Sequence, residues 1–149
     1  MLRINGQLME RIRAHAAAAY PHECCGALLG RDGVEPEVAR EVESVLPLEN
    51  RREDSRHNRF EVTAEDVRAA ERQARERGLE LVGWYHSHPD HPARPSEFDR
   101  EHAWPWYSYV IVRAEQDGAR ELRSWRLGDD RSSFVEEDVE MTAEHIQIL

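Results

Sequence analysis

The 149-residue chain has 40% hydrophobic residues and a net charge of −10 from 30 acidic and 20 basic residues. That is enough to bury one core of ordinary size, so residues 1–149 are expected to form a single domain. Every cation other than histidine is arginine, and an acidic chain without a basic run argues against nucleic acid or an anionic membrane as partner.

Met1 to Gly6 lacks the apolar core of a secretory signal, and no apolar run approaches a membrane span. Cys24 and Cys25 are adjacent and cannot staple distant parts of the fold. Together these features point to the cytoplasm of a cell that keeps its thiols reduced.

Ile4, Leu8, Met9, Ile12, Ala16 and Ala19 recur at helical spacing, with Asn5 as N-cap and Pro21 beyond the end, so an amphipathic helix is expected to open the chain. Glu23 to Gly30 reads as a short buried strand ended by glycine. Residues 35–48 alternate through Val38, Val42 and Val45 to Leu46, a second strand half exposed to water. The charged stretch from Glu49 to Arg59 reads as a surface loop, after which Phe60 and Val62 re-enter the core.

Thr63-Ala64-Glu65-Asp66 resembles a capping box, and its helix runs through Val67, Ala70 and Ala74 to a stop at Gly78. Leu79 to Tyr85 is a third strand ending at two histidines. A helical turn follows over Glu97 to Ala103. Strands over 107–114 and 121–127 are joined by the turn signal Glu115-Gln116-Asp117-Gly118. The tail from Phe134 to Leu149 is expected to add an edge strand. The fold class is mixed α/β, a twisted mixed sheet or partial barrel flanked by helices.

The chemistry sits in Gly83-Trp84-Tyr85-His86-Ser87-His88-Pro89 and the loop beyond it. His86 and His88 at i and i+2 project from one strand face about 6–7 Å apart along the chain, so their imidazoles can converge on one ion. A catalytic zinc takes three protein ligands and leaves a fourth position open. Asp99 is the obvious third ligand, and Pro89, Pro92 and Pro95 stiffen the loop that returns it. Hydrolysis also needs a group that moves protons. The candidate is Glu23, an acid at the start of a buried strand. Ser96 can donate to a developing oxyanion, or cap the turn beginning at Glu97, or do both.

A glutamate on an early strand, then His-Ser-His-Pro, then Ser-x-x-Asp resembles the JAMM (MPN-plus) zinc metalloprotease family. The resemblance runs from the first helix to about Leu127 and implies an architecture similar to that of cytidine deaminases. By resemblance, His86, His88 and Asp99 hold one zinc, Glu23 is the general acid/base, and Ser96 assists the oxyanion. The family cleaves peptide or isopeptide bonds after the C-terminus of ubiquitin-like proteins. A chain this short has little room for the insertions that grip polyubiquitin. It looks more like members that remove an amino acid such as cysteine from the di-glycine tail of a sulfur carrier. An isopeptidase acting on ubiquitin-like conjugates and a silent MPN scaffold are the rival readings. A homodimer is compatible with any of the three.

Of the remaining residues, Cys25 shares a strand face with Glu23 and reads first as a small core residue. His22, His91 and His102 read as loop or surface groups. Trp84, Trp104, Trp106 and Trp125 read as core or groove-rim aromatics, and Trp104 and Trp106 are placed to wall an extended substrate tail.

Overall fold

The computed structural model describes residues 1–33, 39–50 and 62–143. Val38, Phe60 and most of the expected 49–59 loop lie outside the described residues. The chain opens with a strand where helix was expected. β1 covers Leu2–Asn5 and α1 covers Gly6–Ala19. Ile4 fits the helical spacing, but its backbone pairs with β3 (Arg40–Leu48) and β8 (Val139–Thr142). Such distant pairing overrides a local pattern. Asn5 nonetheless caps α1, its side chain accepting from the Leu8 amide at 2.8 Å.

The other elements are β2 (Cys25–Arg31), α2 (Ala64–Glu76), β4 (Glu80–Pro89), α3 (Glu97–His102), β5 (Ser108–Glu115), β6 (Gly118–Leu127) and β7 (Phe134–Glu137). The Thr63–Asp66 capping box starts α2 and Gly78, at φ +68°, ends it. The Leu79 amide then returns to the Ala74 carbonyl, the six-to-one bond of a left-handed helix stop.

Among the described residues all eight strands form one sheet in the order β7-β6-β5-β4-β2-β3-β1-β8. β1 runs parallel to β3 and β8, and β4 parallel to β5; the other pairings are antiparallel. The tail therefore gives two strands rather than one. β7 and β8 lie at opposite edges although only Asp138 separates them. The Asp138 carbonyl accepts from the Leu2 amide at 2.8 Å, so the sheet curls into a nearly closed barrel.

α1 fills the concave side. Leu8, Met9, Ile12 and Ala16 meet Leu28, Val82, Tyr85, Val110 and Val112. α2 covers the other side, where Ala70 and Ala74 meet Ala27, Leu29 and Leu81. With both faces covered, β2 is buried without alternation from Cys25 to Gly30, and only its last residue, Arg31, is exposed. Gly83 lets β5 approach β4, since a Cβ there would lie 2.1 Å from the Ser108 carbonyl oxygen.

Beneath this wall Arg40 is buried on β3. Its Nη1 donates to the carbonyls of Val82 (3.0 Å) and Trp106 (2.7 Å) and to Ser108 Oγ (3.0 Å), while its Nε pairs with Asp32 at 3.0 Å. The guanidinium also lies 4.2 Å from the centre of the Trp106 ring. It fastens the starts of β4 and β5 to the segment entering β5.

Candidate metal centre and flanking recesses

β4 continues past Tyr85 through both histidines to Pro89, four residues beyond the expected end of the strand, because β5 runs beside it as far as Pro89↔Ala114. His86 and His88 therefore project from a fixed backbone on one face. They are 1% and 9% exposed. Their Nε2 atoms lie 3.2 Å apart, and Asp99 Oδ2 lies 3.2 Å from the first and 3.1 Å from the second.

Asp99 is in the first turn of α3. Its Oδ2 accepts from the Ser96 amide at 2.8 Å, and its own amide donates to Ser96 Oγ at 3.1 Å. The capping box thus starts a helical turn and aims the carboxylate. His88 Nδ1 donates to the Pro92 carbonyl at 3.0 Å, which leaves Nε2 as the nitrogen able to offer a lone pair.

Ligand atoms around a tetrahedral centre with bonds of about 2.0–2.1 Å stand about 3.3–3.4 Å apart. The observed triangle is slightly tighter, and its two nitrogens and one oxygen suit a divalent metal of borderline softness. Burial alone would push the Asp99 carboxyl up. The His86 charge and hydrogen bonds from both rings outweigh it and hold Asp99 far below the usual carboxylate range. Burial opposes the charge on His88 too, but Asp99 overrides it and the net shift is upward.

Glu23 reaches this triangle through the sheet. Cys25 pairs with His86, and extending the antiparallel register by two residues sets Glu23 across from His88. The junction is pinned by two bonds, the Cys24 amide to Ser87 Oγ at 2.9 Å and the Ser87 amide to the Cys24 carbonyl at 3.1 Å. Glu23 is 4% exposed, and one carboxylate oxygen and the two imidazoles present ligand atoms all within 4.8 Å of one another. A carboxylate so close to the triangle can serve as a further ligand or exchange protons with whatever occupies the open side.

Two recesses flank the triangle. A groove of about 700 Å³ runs from His86 and Asp99 past Trp84, Phe98, Tyr107 and Trp104. A smaller pocket of about 330 Å³ lies on the other side, lined by Glu23, His88, His91, Arg94 and Ser96. The structure therefore brings together Glu23, His86, His88, Ser96 and Asp99, the five residues singled out in the sequence.

The remaining candidates divide. Trp104 walls the groove, but Trp106 turns away to cover Arg40. Trp125 donates to the Ala93 carbonyl at 2.9 Å and braces the loop. His102 stacks on Phe98 with ring centres 4.1 Å apart, and His91 borders the smaller pocket. His22 is exposed on the turn before β2. Cys25 is buried with its thiol 3.9 Å from the Glu49 carbonyl. Sequence reasoning missed Ser87, Arg40 and Arg94. Only Ser87, between the two histidines, carried a local signal, since a side chain there must face away from theirs.

The family model for prokaryotic homologues of the JAB domain matches residues 6–128. The chain is 33% identical over 124 residues to a desampylase of Haloferax volcanii, covering 83% of each chain. It is 31% identical over 147 residues to the CysO-cysteine peptidase of Mycobacterium tuberculosis, covering 97% of this chain and 94% of that one. A solution structure of a Desulfitobacterium hafniense protein superposes with a TM-score of 0.82 at 33% identity, covering 97% and 94% of the two chains. By the matched model, these relatives and the five-residue constellation, the chain belongs to the prokaryotic JAB-domain family of JAMM-type metallopeptidases.

Proposed function

We propose that this protein is a zinc peptidase, contained in one catalytic domain. It hydrolyses the bond after the C-terminal di-glycine of a ubiquitin-like protein, and its substrate is the adduct of a sulfur carrier with a single amino acid, cysteine above all. The observation that carries the proposal is the triangle of His86 Nε2, His88 Nε2 and Asp99 Oδ2 with Glu23 beside it. The likeness to a CysO-cysteine peptidase over almost the whole of both chains supports the choice of adduct.

His86, His88 and Asp99 would hold the ion. Zinc bound there acidifies water and polarises a carbonyl. The aromatic groove takes the extended di-glycine tail, where glycine's lack of a side chain lets the backbone lie close against the edge-packed rings of Trp84 and Tyr107. Glu23 accepts a proton from the attacking water as the new C–O bond forms. Ser96, in the same pocket as Glu23, donates its hydroxyl to the oxygen that gains charge. Glu23 then delivers its proton to the leaving nitrogen as the C–N bond breaks, so one water is consumed and a carboxylate and an amine are released.

The test is a substrate panel: a carrier–cysteine adduct, a carrier–protein isopeptide conjugate and a ubiquitin dimer. Zinc content is measured by elemental analysis. Wild type is expected to cut the adduct, and Glu23→Gln to lose about 10²–10⁴-fold in kcat while keeping its zinc. Faster cleavage of the isopeptide conjugate would favour the isopeptidase reading. Zinc near zero with every substrate intact would sink the enzyme reading.

A further inference from the structure

Beside Glu23 the smaller pocket holds a cation that the mechanism above leaves unused. Arg94 is exposed, and among the described residues its guanidinium makes no ion pair or hydrogen bond. Its backbone is held. The Arg94 amide donates to the Pro92 carbonyl at 2.8 Å, the oxygen that also receives His88 Nδ1. On the preceding residue, the buried Ala93, the amide donates to Glu121 at 2.7 Å and the carbonyl accepts from Trp125. Nearby acids are engaged elsewhere, Asp90 with the Tyr20 hydroxyl at 2.7 Å and Glu121 with Ala93. A chain of net charge −10 thus anchors the backbone of Arg94 at the rim of a pocket it shares with a buried carboxylate, and among the described residues its guanidinium stays unpaired.

From this arrangement we infer that Arg94 is a specificity residue that pairs with the free α-carboxylate of a single-amino-acid leaving group. The inference rests on the peptidase reading, in which Glu23 protonates the leaving nitrogen and so places the leaving group in the pocket of Glu23, His91 and Arg94. In an adduct with one amino acid, only the α-carbon separates that nitrogen from a carboxylate. Entering beside Glu23, this anion meets a like charge unless a cation offsets it, and a planar guanidinium matches it with two parallel hydrogen bonds. In an isopeptide conjugate the leaving nitrogen ends a lysine side chain and the nearest carboxyl is tied into a peptide bond. Arg94 therefore favours release of one amino acid over release of a protein. The pocket, at about 330 Å³, has room for such a leaving group.

The test uses two peptides ending in Gly-Gly-Ala, one with a free C-terminal carboxylate and one with a carboxamide; alanine avoids a thiol that would chelate metal. The zinc-loaded full chain is expected to cleave the acid with a kcat/KM about tenfold or more above the amide, the scale of one charge-assisted pair. Arg94→Ala brings that ratio towards one and Arg94→Lys restores part of it. Arg11→Ala, an exposed arginine on α1, keeps it. Binding of both peptides to Glu23→Gln, measured by calorimetry, is expected to show the same preference and the same loss when Arg94→Ala is added. Equal cleavage of acid and amide by wild type, or a ratio unmoved by Arg94→Ala, overturns the role of Arg94 and leaves the peptidase intact. Arg94-dependent acid binding without any cleavage overturns the peptidase reading instead.

Discussion

Ser87→Ala probes how Glu23 is held against the histidines. The Ser87 hydroxyl accepts from the Cys24 amide at 2.9 Å in a fully buried setting, and this is one of two bonds at that junction. Removing it leaves the Cys24 amide without an acceptor and out of reach of water, a cost of about 1–3 kcal/mol. For a chain of this length each kcal/mol lowers Tm by about 2–4 °C, so a fall of about 2–12 °C is expected. The reciprocal bond from the Ser87 amide survives, so the strands stay paired and the fold persists. What loosens is the position of Glu23 relative to the metal triangle, where a displacement near 1 Å costs about 10²-fold in rate. Thermal melts, zinc content and turnover on the carrier adduct read the three consequences separately. The expected pattern is a lower Tm, about 10–100-fold slower turnover and unchanged zinc. A variant that melts and turns over like wild type would refute the view that this hydroxyl seats Glu23.

Metal affinity should rise with pH. Asp99 keeps the His88 proton above its ordinary range, so an incoming ion must displace it, and affinity is expected to climb about tenfold per pH unit for each proton lost. Calorimetric titrations with zinc at about pH 6, 7 and 8 measure this slope, and a flat response would contradict the protonated pair. In metal-free protein, the depressed Asp99 adds stability above the ordinary carboxylate pKa, which is lost as pH falls from about 4. Gly83→Ala sets a methyl 2.1 Å from the Ser108 carbonyl oxygen, and the strands must part to admit it. A loss of about 1–3 kcal/mol or more is expected in chemical denaturation, and wild-type stability would show that the β4–β5 spacing is soft. Cys24 is buried and desolvation pushes its thiol up to about 11, while Cys25 is also buried. A chromogenic disulfide reagent should therefore label neither cysteine at about pH 8 until the protein is unfolded. Rapid labelling of the native protein would contradict their burial.

The residues read most securely from sequence are those whose relations are local. His86, His88, Ser96 and Asp99 fall within one stretch of β4, loop and α3, so strand alternation and a capping pattern suffice to converge them. Glu23 is different. Its closeness to His88 depends on β2 lying beside β4 in antiparallel register, which alternation cannot reveal. The same blindness hid β1, four residues whose partners lie some forty and more than a hundred positions away. It also hid the division of the tail between two sheet edges. Arg40 and Arg94 show the limit at single residues. Both are arginines near prolines or charged neighbours, yet one is fully buried against carbonyls and the other, among the described residues, is unpaired at a pocket rim. Charge in a sequence says nothing of which cation the fold will leave unsatisfied.

Closure of the sheet also sets an order in time. On a ribosome β2, β4 and the α3 turn bearing Asp99 emerge while β8 is still unmade, so the metal-binding wall can assemble first. β1 must wait with one edge open until Val139–Thr142 arrives to pair with Leu2–Asn5, a contact of very long sequence separation and correspondingly slow formation. Pulse-labelled amide exchange during refolding should accordingly protect β4 before β8, and the reverse order would show the barrel closing around an unformed site. Until the last strand docks, the nascent protein is an open sheet, and that interval is when it is most exposed to pairing with a neighbour.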